Sequence, residues 1–223
     1  MPHFDIIKKS DIKDSFRISK IKADFDIKNE HAQEHFVGDI IFPDEWQIGV
    51  IVGGSGTGKS TIANELFGDK IKNFEYVHNS VIDDMPNANI EEISKMFYAV
   101  GFGSVPSWMK PYNVLSNGEK MRVDLARALL SDDFVVFDEF TSVVDRQIAQ
   151  TACIAINKAI KRTEKKFVAV SCHYDILEWL QPDWVFDTNE MKSFFGKSHE
   201  QINDLKSDNV LVANGTNLGS III

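Results

Sequence analysis

The feature that most constrains this chain is a glycine-rich turn between an apolar strand and a helix. Residues 49–54, GVIVGG, predict a short buried strand that runs into the turn, and residues 58–67 predict the helix that leaves it. Phosphate groups need several converging backbone N–H groups, which requires positive φ angles and no obstructing Cβ atoms. A helix N-terminus adds the positive end of its dipole. The arrangement therefore predicts a phosphate-binding loop.

The turn matches the P-loop pattern of glycine, four residues, glycine, lysine and serine. We expect Lys59 to reach the β- and γ-phosphates, Ser60 to supply a hydroxyl to Mg²⁺, and Thr61 to lie nearer the α-phosphate. The predicted nucleotide-binding residues are Gly53, Gly54, Ser55, Gly56, Thr57, Gly58, Lys59, Ser60 and Thr61. The loop alone does not separate an ATPase from a GTPase or a small-molecule kinase.

A second apolar strand, residues 134–137, ends in two carboxylates. This Walker B pattern predicts that Asp138 holds the Mg²⁺ shell, directly or through water, and that Glu139 polarises the attacking water as general base. Consecutive residues on a strand point in opposite directions, so the two carboxylates can serve separate tasks. A buried strand avoids ending in paired carboxylates unless a cation is near.

A serine and a glutamate three residues apart open a predicted helix over residues 118–130. Ser116 and Glu119 form the pattern of a capping box, which places the Ser116 hydroxyl at the positive end of the helix. The run LSNGE followed by RVDLARALL resembles the LSGGQ signature of ABC ATPases, with Asn117 and Glu119 in place of glycine and glutamine. The run GEK also resembles the signature of chromosome-maintenance and DNA-repair members.

The resemblance implies a head-to-tail homodimer that closes over two ATP molecules with Mg²⁺. Residues of one copy would then contact the γ-phosphate held by the P-loop of the other; these are Ser116, Asn117, Gly118 and Glu119. Residues 141–145, TSVVD, resemble the D-loop, which implies that Asp145 lies near the dimer seam. Residues 167–173 end in His173, which resembles the switch histidine and joins Lys59 and Glu139 as the third expected catalytic residue. The neighbouring Cys172 does not make a thiol-protease dyad with it, since adjacent strand residues face apart.

Transporter-coupled members of the family carry a glutamine between the P-loop and the signature, and this chain has SVIDDMP in the matching stretch. Asp83 or Asp84 is expected at that place, and Asp83 is a further candidate Mg²⁺ ligand. A carboxylate donates no amide hydrogen bond, so the usual coupling to a transporter is not expected. The adenine-stacking aromatic lies upstream of the P-loop, and Phe25, His31 and Phe36 are the candidates.

Alternating strands and helices predict an α/β fold with a mainly parallel sheet covered on both faces. We expect a single ABC-type P-loop domain over residues 1–223, with a core over about 16–195 and a short helical subdomain over about 86–130. Residues 16–42 predict antiparallel N-terminal strands at a sheet edge, and residues 89–100 a helix capped by Asn89. No role is assigned to the tail beyond residue 196.

The net charge of −9 argues against a broad grip on nucleic acid. No apolar run long enough for a membrane span and no export signal are found, so Cys153 and Cys172 are expected as reduced thiols in the cytoplasm. Residues 39–187 are similar to soluble phage and bacterial ABC-type ATPases, some fused to acetyltransferase domains. The stretches that carry this similarity are EWQIGVIVGGSGTGKST, SVIDDMP, PSWMKPYNVLSNGE, VVFDEFTSVVDR and AVSCHYDILEWLQPDWVFD.

We therefore expect Mg²⁺-dependent ATP hydrolysis that drives an unidentified partner protein or fused domain. The alternatives are the nucleotide-binding subunit of an ABC transporter and an ATPase accessory in DNA repair or phage DNA metabolism.

Overall fold

A computed structural model describes residues 2–10, 15–26, 32–71, 73–86 and 88–195. Its main sheet has five strands in the order β4-β5-β3-β6-β7. These are β3 (Ile48–Val52), β4 (Phe134–Phe137), β5 (Lys166–Ser171), β6 (Trp184–Asp187) and β7 (Lys192–Phe195). The first four strands in that order run parallel, and β7 pairs antiparallel with β6 at one edge. The mainly parallel α/β sheet that the sequence predicted is confirmed.

The central strands are apolar at nearly every position because both faces of the sheet are covered. Val50 and Val52 belong to one cluster of buried residues, together with side chains from the helices over residues 90–99, 117–131 and 146–160. Ile51 belongs to a second buried cluster on the opposite face of the sheet. Successive side chains of a strand point to opposite faces, so a continuous apolar run is required here. Helices cover these faces: α2 (Lys59–Phe67), α3 (Ile90–Ala99), α4 (Val105–Trp108), α5 (Asn117–Ser131), α6 (Arg146–Ile160) and α7 (Ile176–Leu180).

The N-terminal strands form a separate two-stranded antiparallel sheet of β1 (His3–Ser10) and β2 (Ala32–Asp39). Phe4 of β1 is buried and meets Phe186 of β6 edge to face, with ring centroids 5.9 Å apart. The prediction of antiparallel N-terminal strands is confirmed, and β2 lies within the predicted residues 16–42, but the first part of that range does not form a strand. Residues 16–24 form helix α1 (Phe16–Asp24), and β1 lies in residues for which the pattern predicted no strand.

Helix α1 begins after Ser15, whose hydroxyl accepts a hydrogen bond from Ile18 N at 3.3 Å. None of its residues is buried. A strand without a neighbouring strand leaves its backbone N–H and C=O groups unpaired, whereas a capped helix satisfies most of them internally.

The segment between the P-loop helix and the signature is built from turns around two short helices. Asn89 caps α3 through a complete capping box with Glu92, as predicted. Residues 80–85 form a turn and not the end of a strand, while Ile71 makes an isolated parallel bridge to Val136 of β4. The tail from residue 196 lies outside the described residues.

Candidate functional site

The P-loop leaves β3 at the carboxyl end of the sheet and wraps the N-terminus of α2. Gly56 and Gly58 have φ angles of 81° and 86°, in the left-handed region that favours glycine. The Lys59 ammonium donates to the Gly54 carbonyl at 2.6 Å, so this side chain lies folded onto its own loop. The loop therefore presents backbone N–H groups, a helix N-terminus and a lysine at one place, as the motif predicted.

Two residues that no motif pointed to hold the loop from the side. Asn189 Oδ1 accepts from Gly54 N at 3.1 Å, and the hydroxyls of Thr57 and Thr188 lie 2.5 Å apart. Thr188 also donates to the Val52 carbonyl at 3.2 Å. Both residues follow β6, more than 130 positions from the loop, and reach it because β6 is the neighbour of β3 in the sheet.

The candidate metal ligands meet at the start of α2. Ser60 Oγ donates to Asp138 Oδ1 at 3.1 Å, which joins the P-loop to the end of β4. The described residues contain no group of three or more His, Cys, Asp and Glu side chains that could hold a metal ion by itself. Mg²⁺ keeps waters and takes one or two protein oxygens together with substrate phosphates, so a hydroxyl beside one carboxylate fits that ion.

Glu139 lies beside this pair and lines the same cleft as the P-loop. The cleft measures about 230 Å³ and is lined by Lys8, Glu34, Ser55, Gly56, Gly58, Lys59, Ser60, Thr61 and Glu139. The strand ends at Phe137, so the opposite facing of strand residues is not what separates the two carboxylates. Glu139 instead has a φ of 53°, and Ser142 Oγ donates to Glu139 Oε2 at 2.6 Å. A left-handed turn and a hydroxyl therefore orient this carboxylate.

His173 lies at the same end of the sheet, two residues after β5. Ser171, the last residue of β5, is the register partner of Val52, which precedes the P-loop. The His173 backbone N–H donates to Ser171 Oγ at 3.1 Å. Burial lowers the pKa of His173, and the positive charge of Arg146 lowers it further, while Asp175 and Glu139 act in the opposite direction. The half-buried imidazole is therefore biased towards its neutral form.

The predicted capping box at the signature is complete. Ser116 Oγ accepts from Glu119 N at 3.3 Å, and the Ser116 backbone N–H donates to Glu119 Oε2 at 3.0 Å. The other carboxylate oxygen accepts from Ser107 Oγ at 2.7 Å. Hydrogen bonds from the Ser116 backbone and then from Ser107 lower the pKa of Glu119, so it stays ionised. The glutamate therefore fastens the signature to α4.

Ser116 and Asn117 are exposed, whereas Gly118 is buried, where a Cβ would lie 3.1 Å from Ile148 Cγ2. Asn117 begins α5 with a helical backbone, so asparagine needs no positive φ here. Asp145 is exposed and caps α6 by accepting from Gln147 N and Ile148 N at 3.0 and 2.9 Å. Ser116 and Asn117 thus face solvent, while Gly118 allows close packing of α5 and α6.

The structure does not bring Asp83 or Asp84 to the P-loop. Asp84 is buried and accepts from the Val77 and His78 backbone and from the His78 ring at 2.7 Å. Burial alone would raise the pKa of Asp84, but these hydrogen bonds outweigh it and the pKa is lowered. Asp83 accepts from Ser80 within the same turn. Both carboxylates serve local structure.

A residue with a carboxamide side chain lines the same cavity as Asp138. Asn73, two residues after the Ile71 bridge to β4, lines a cavity of about 300 Å³ together with Asp138. The other lining residues are Ile71, Phe74, Tyr112, Asp124 and Phe137. No sequence motif marks Asn73, which follows the isolated bridge at Ile71 and lies in no described strand.

Of the adenine-stacking candidates that the structure describes, Phe25 and Phe36, neither lines the cleft. Phe36 is buried under the loop, where a Cβ on Gly58 would lie 2.5 Å from its ring. Phe25 follows α1 and is exposed, and His31 lies outside the described residues. Lys8 and Glu34, register partners on β1 and β2, are the hairpin residues that line the cleft.

Cys153 is buried and Cys172 exposed, and both are free thiols. Burial raises the pKa of Cys153 to about 12, so this thiol is inert and packs as a small apolar side chain. None of the described helices is both long and apolar enough to span a bilayer.

No protein-family model matches the chain, and the curated proteins contain no match. Solved structures do match. The dimeric structure of MJ0796, a bacterial ABC transporter cassette, is 14% identical in sequence; the match covers 69% of this chain and 87% of that chain, with a TM-score of 0.55. The structure of cbiO1 from Clostridium perfringens, part of the ABC transporter complex cbiONQ, is 18% identical; the match covers 82% of this chain and 89% of that chain, with a TM-score of 0.58. The structure of MJ1267, an ATP-binding cassette of an ABC transporter, is 17% identical; the match covers 78% of this chain and 89% of that chain, with a TM-score of 0.59. The chain has the fold of ABC-type ATP-binding cassettes.

Proposed function

We propose that this chain binds ATP with Mg²⁺ and hydrolyses it as a head-to-tail dimer in the cytoplasm. The observation that carries the proposal is the meeting of Ser60, Asp138 and Glu139 at the mouth of the P-loop. A hydroxyl and a carboxylate there would suit Mg²⁺, which prefers oxygen ligands. Glu139, held by Ser142, is placed to accept a proton from a water that attacks the γ-phosphate.

Each residue has a task that its position supports. Lys59 leaves the Gly54 carbonyl and donates to the β- and γ-phosphates, a charge-assisted exchange that favours bound nucleotide. His173, neutral and half-buried at the same sheet end, is placed to hydrogen-bond the γ-phosphate or the water. Bound Mg²⁺ would neutralise the phosphate charge that develops during transfer.

We expect a second copy to complete the site because the signature is exposed and its residues are not among those that line the P-loop cleft. Ser116 and Asn117 present a hydroxyl, an amide side chain and a helix N-terminus to solvent. Such an end suits an anion supplied from outside the chain. One of the matching structures is a dimeric cassette, which supports the pairing of two copies.

We favour a role outside transport because the turn at residues 80–85 uses its carboxylates internally. The second candidate, a transporter subunit, is favoured by the matching structures, which belong to ABC transporters. Copurification with a membrane protein would support the second candidate, and a monodisperse active protein without one would support the first.

The test is to measure ATP affinity and Mg²⁺-dependent phosphate release in two variants and two matched controls. Lys59→Ala should weaken ATP binding roughly 10- to 100-fold, since it removes hydrogen bonds to a charged group. Glu139→Gln should keep ATP affinity and lower kcat by about 10²- to 10⁴-fold. The exposed substitutions Lys158→Ala and Glu65→Gln should change neither. Wild-type ATP affinity in Lys59→Ala would refute the nucleotide site.

A further inference from the structure

Two turns at the carboxyl end of the sheet carry the groups assigned to hydrolysis. One turn, residues 138–145, holds Glu139, and the other, residues 172–175, holds His173. They follow the neighbouring strands β4 and β5, and Phe140 N donates to the Val170 carbonyl at 2.8 Å between them. This hydrogen bond links the backbone of the first turn to the strand that leads into the second turn.

The first turn has an unfavourable backbone. Glu139 and Thr141 have φ angles of 53° and 66°, although neither is glycine. Residues with a Cβ persist in this region where the surrounding contacts determine their conformation. Thr141 is almost fully buried, and its hydroxyl accepts a long hydrogen bond from the Arg146 guanidinium at 3.5 Å.

Arg146 is anchored on the second turn. Its Nε donates to Asp175 Oδ2 at 2.8 Å, a second nitrogen donates to Oδ1, and the guanidinium lies 5.3 Å from the centre of the Trp179 ring. This bidentate contact uses the planar fork of arginine, which lysine does not have. The side chains of Arg146 and Asp175 both keep more than a third of their surface exposed. An ion pair this exposed contributes little to stability, so stability alone does not explain the contact.

We propose that Arg146 and Asp175 are positioning residues that join the Glu139 turn to the His173 turn, so that the two groups are aligned as one unit. The proposal rests on the function proposed above. Arg146 contacts Thr141 on one side and Asp175 on the other, and Asp175 lies two residues from His173. Arg146 also begins α6 directly after Asp145, so the end of the D-loop-like segment is tied to the same unit.

The charges around His173 predict how the pKa of its imidazole should change when Arg146 or Asp175 is replaced. His173 faces Arg146 of α6, Asp175 at the start of α7 and Glu139 of the first turn. Arg146 lowers the pKa of the imidazole, while the two carboxylates raise it. Removing Arg146 should therefore raise the pKa of His173, and removing Asp175 should lower it.

The first experiment is an NMR titration of the histidines, with His173 assigned by its loss in His173→Gln. The chain has 6 histidines, so the resonances can be separated by substitution. We expect the pKa of His173 to follow the order Arg146→Gln, wild type, Asp175→Asn from highest to lowest. The exposed controls Arg162→Gln and Glu164→Gln remove the same charges elsewhere and should leave it unchanged. Shifts in one direction for both variants, or none, would overturn the proposal.

The second experiment separates alignment from charge. Arg146→Lys keeps the positive charge and loses the fork, so the pKa of His173 should stay near the wild-type value while kcat falls roughly 10- to 100-fold, as expected for misplaced groups. ATP affinity should stay within about twofold, since the P-loop is untouched. Full turnover in Arg146→Lys would contradict positioning. An inactive wild-type protein would instead count against the proposed function, because the titration needs no ATP.

Discussion

Gly58 stands where the P-loop meets α2 and carries two constraints at once. Its φ of 86° lies in the left-handed region, and a Cβ would lie 2.5 Å from the buried Phe36 ring. Gly56 shares the first constraint, with a φ of 81°, but a Cβ there would meet nothing within 4 Å. The two glycines therefore separate backbone strain from steric overlap.

We predict that Gly56→Ala lowers the free energy of unfolding by about 1 kcal/mol through strain alone. Gly58→Ala should cost about 1–3 kcal/mol more, because Phe36 must shift as well. Urea unfolding of both variants without nucleotide measures the difference. Equal losses would show that Phe36 accommodates the methyl group freely.

At this scale the sequence predicted the residues that belong to a local motif and missed those that do not. Lys59, Ser60 and Asp138 follow from the P-loop and Walker B patterns, and Ser60 does contact Asp138. Thr188 and Asn189 were not predicted because no sequence motif surrounds them. They reach the P-loop because β6, which they follow, pairs with β3 in the sheet. Asp83 was assigned by matching residues 80–86 to the glutamine stretch of the resembled family, whereas Ser80 engages its carboxylate within the local turn.

Helix α5 carries the signature at its N-terminus. Glu119 replaces the glutamine of the resembled pattern, and its two oxygens bond Ser116 and Ser107. The start of α5 was predictable because a capping box depends on only four consecutive residues. Helix α1 was not, because alternating apolar residues predict a strand only where one face becomes buried, and no residue of α1 is buried.

We predict that Glu119→Ala lowers the free energy of unfolding by about 1 kcal/mol, as loss of a helix cap does. The pKa of Glu119 is lowered from 4.5 in the folded state, so its ionised form stabilises the fold above that pH and this contribution is lost as the pH falls through the folded value. The advantage of wild type over Glu119→Gln should therefore shrink below pH 4.5 in urea unfolding. A difference that does not change with pH would contradict this assignment.

At the scale of the whole molecule, the signature residues are not among those that line the P-loop cleft. The P-loop and Glu139 line that cleft, while Ser116 and Asn117 are exposed at the start of α5. In a symmetric head-to-tail pair, each nucleotide site takes its P-loop from one copy and its signature from the other. Substitutions in the two halves of the site should therefore complement each other between copies.

The most direct test mixes two inactive variants and measures ATP hydrolysis. Lys59→Ala removes the phosphate-binding lysine, and Asn117→Asp places a negative charge at the signature while remaining favourable in the first turn of α5. An equal mixture should form one intact site in each mixed dimer and recover about one quarter of the wild-type rate. A mixture no more active than its two parents would contradict the shared site, and so would full activity of Asn117→Asp alone.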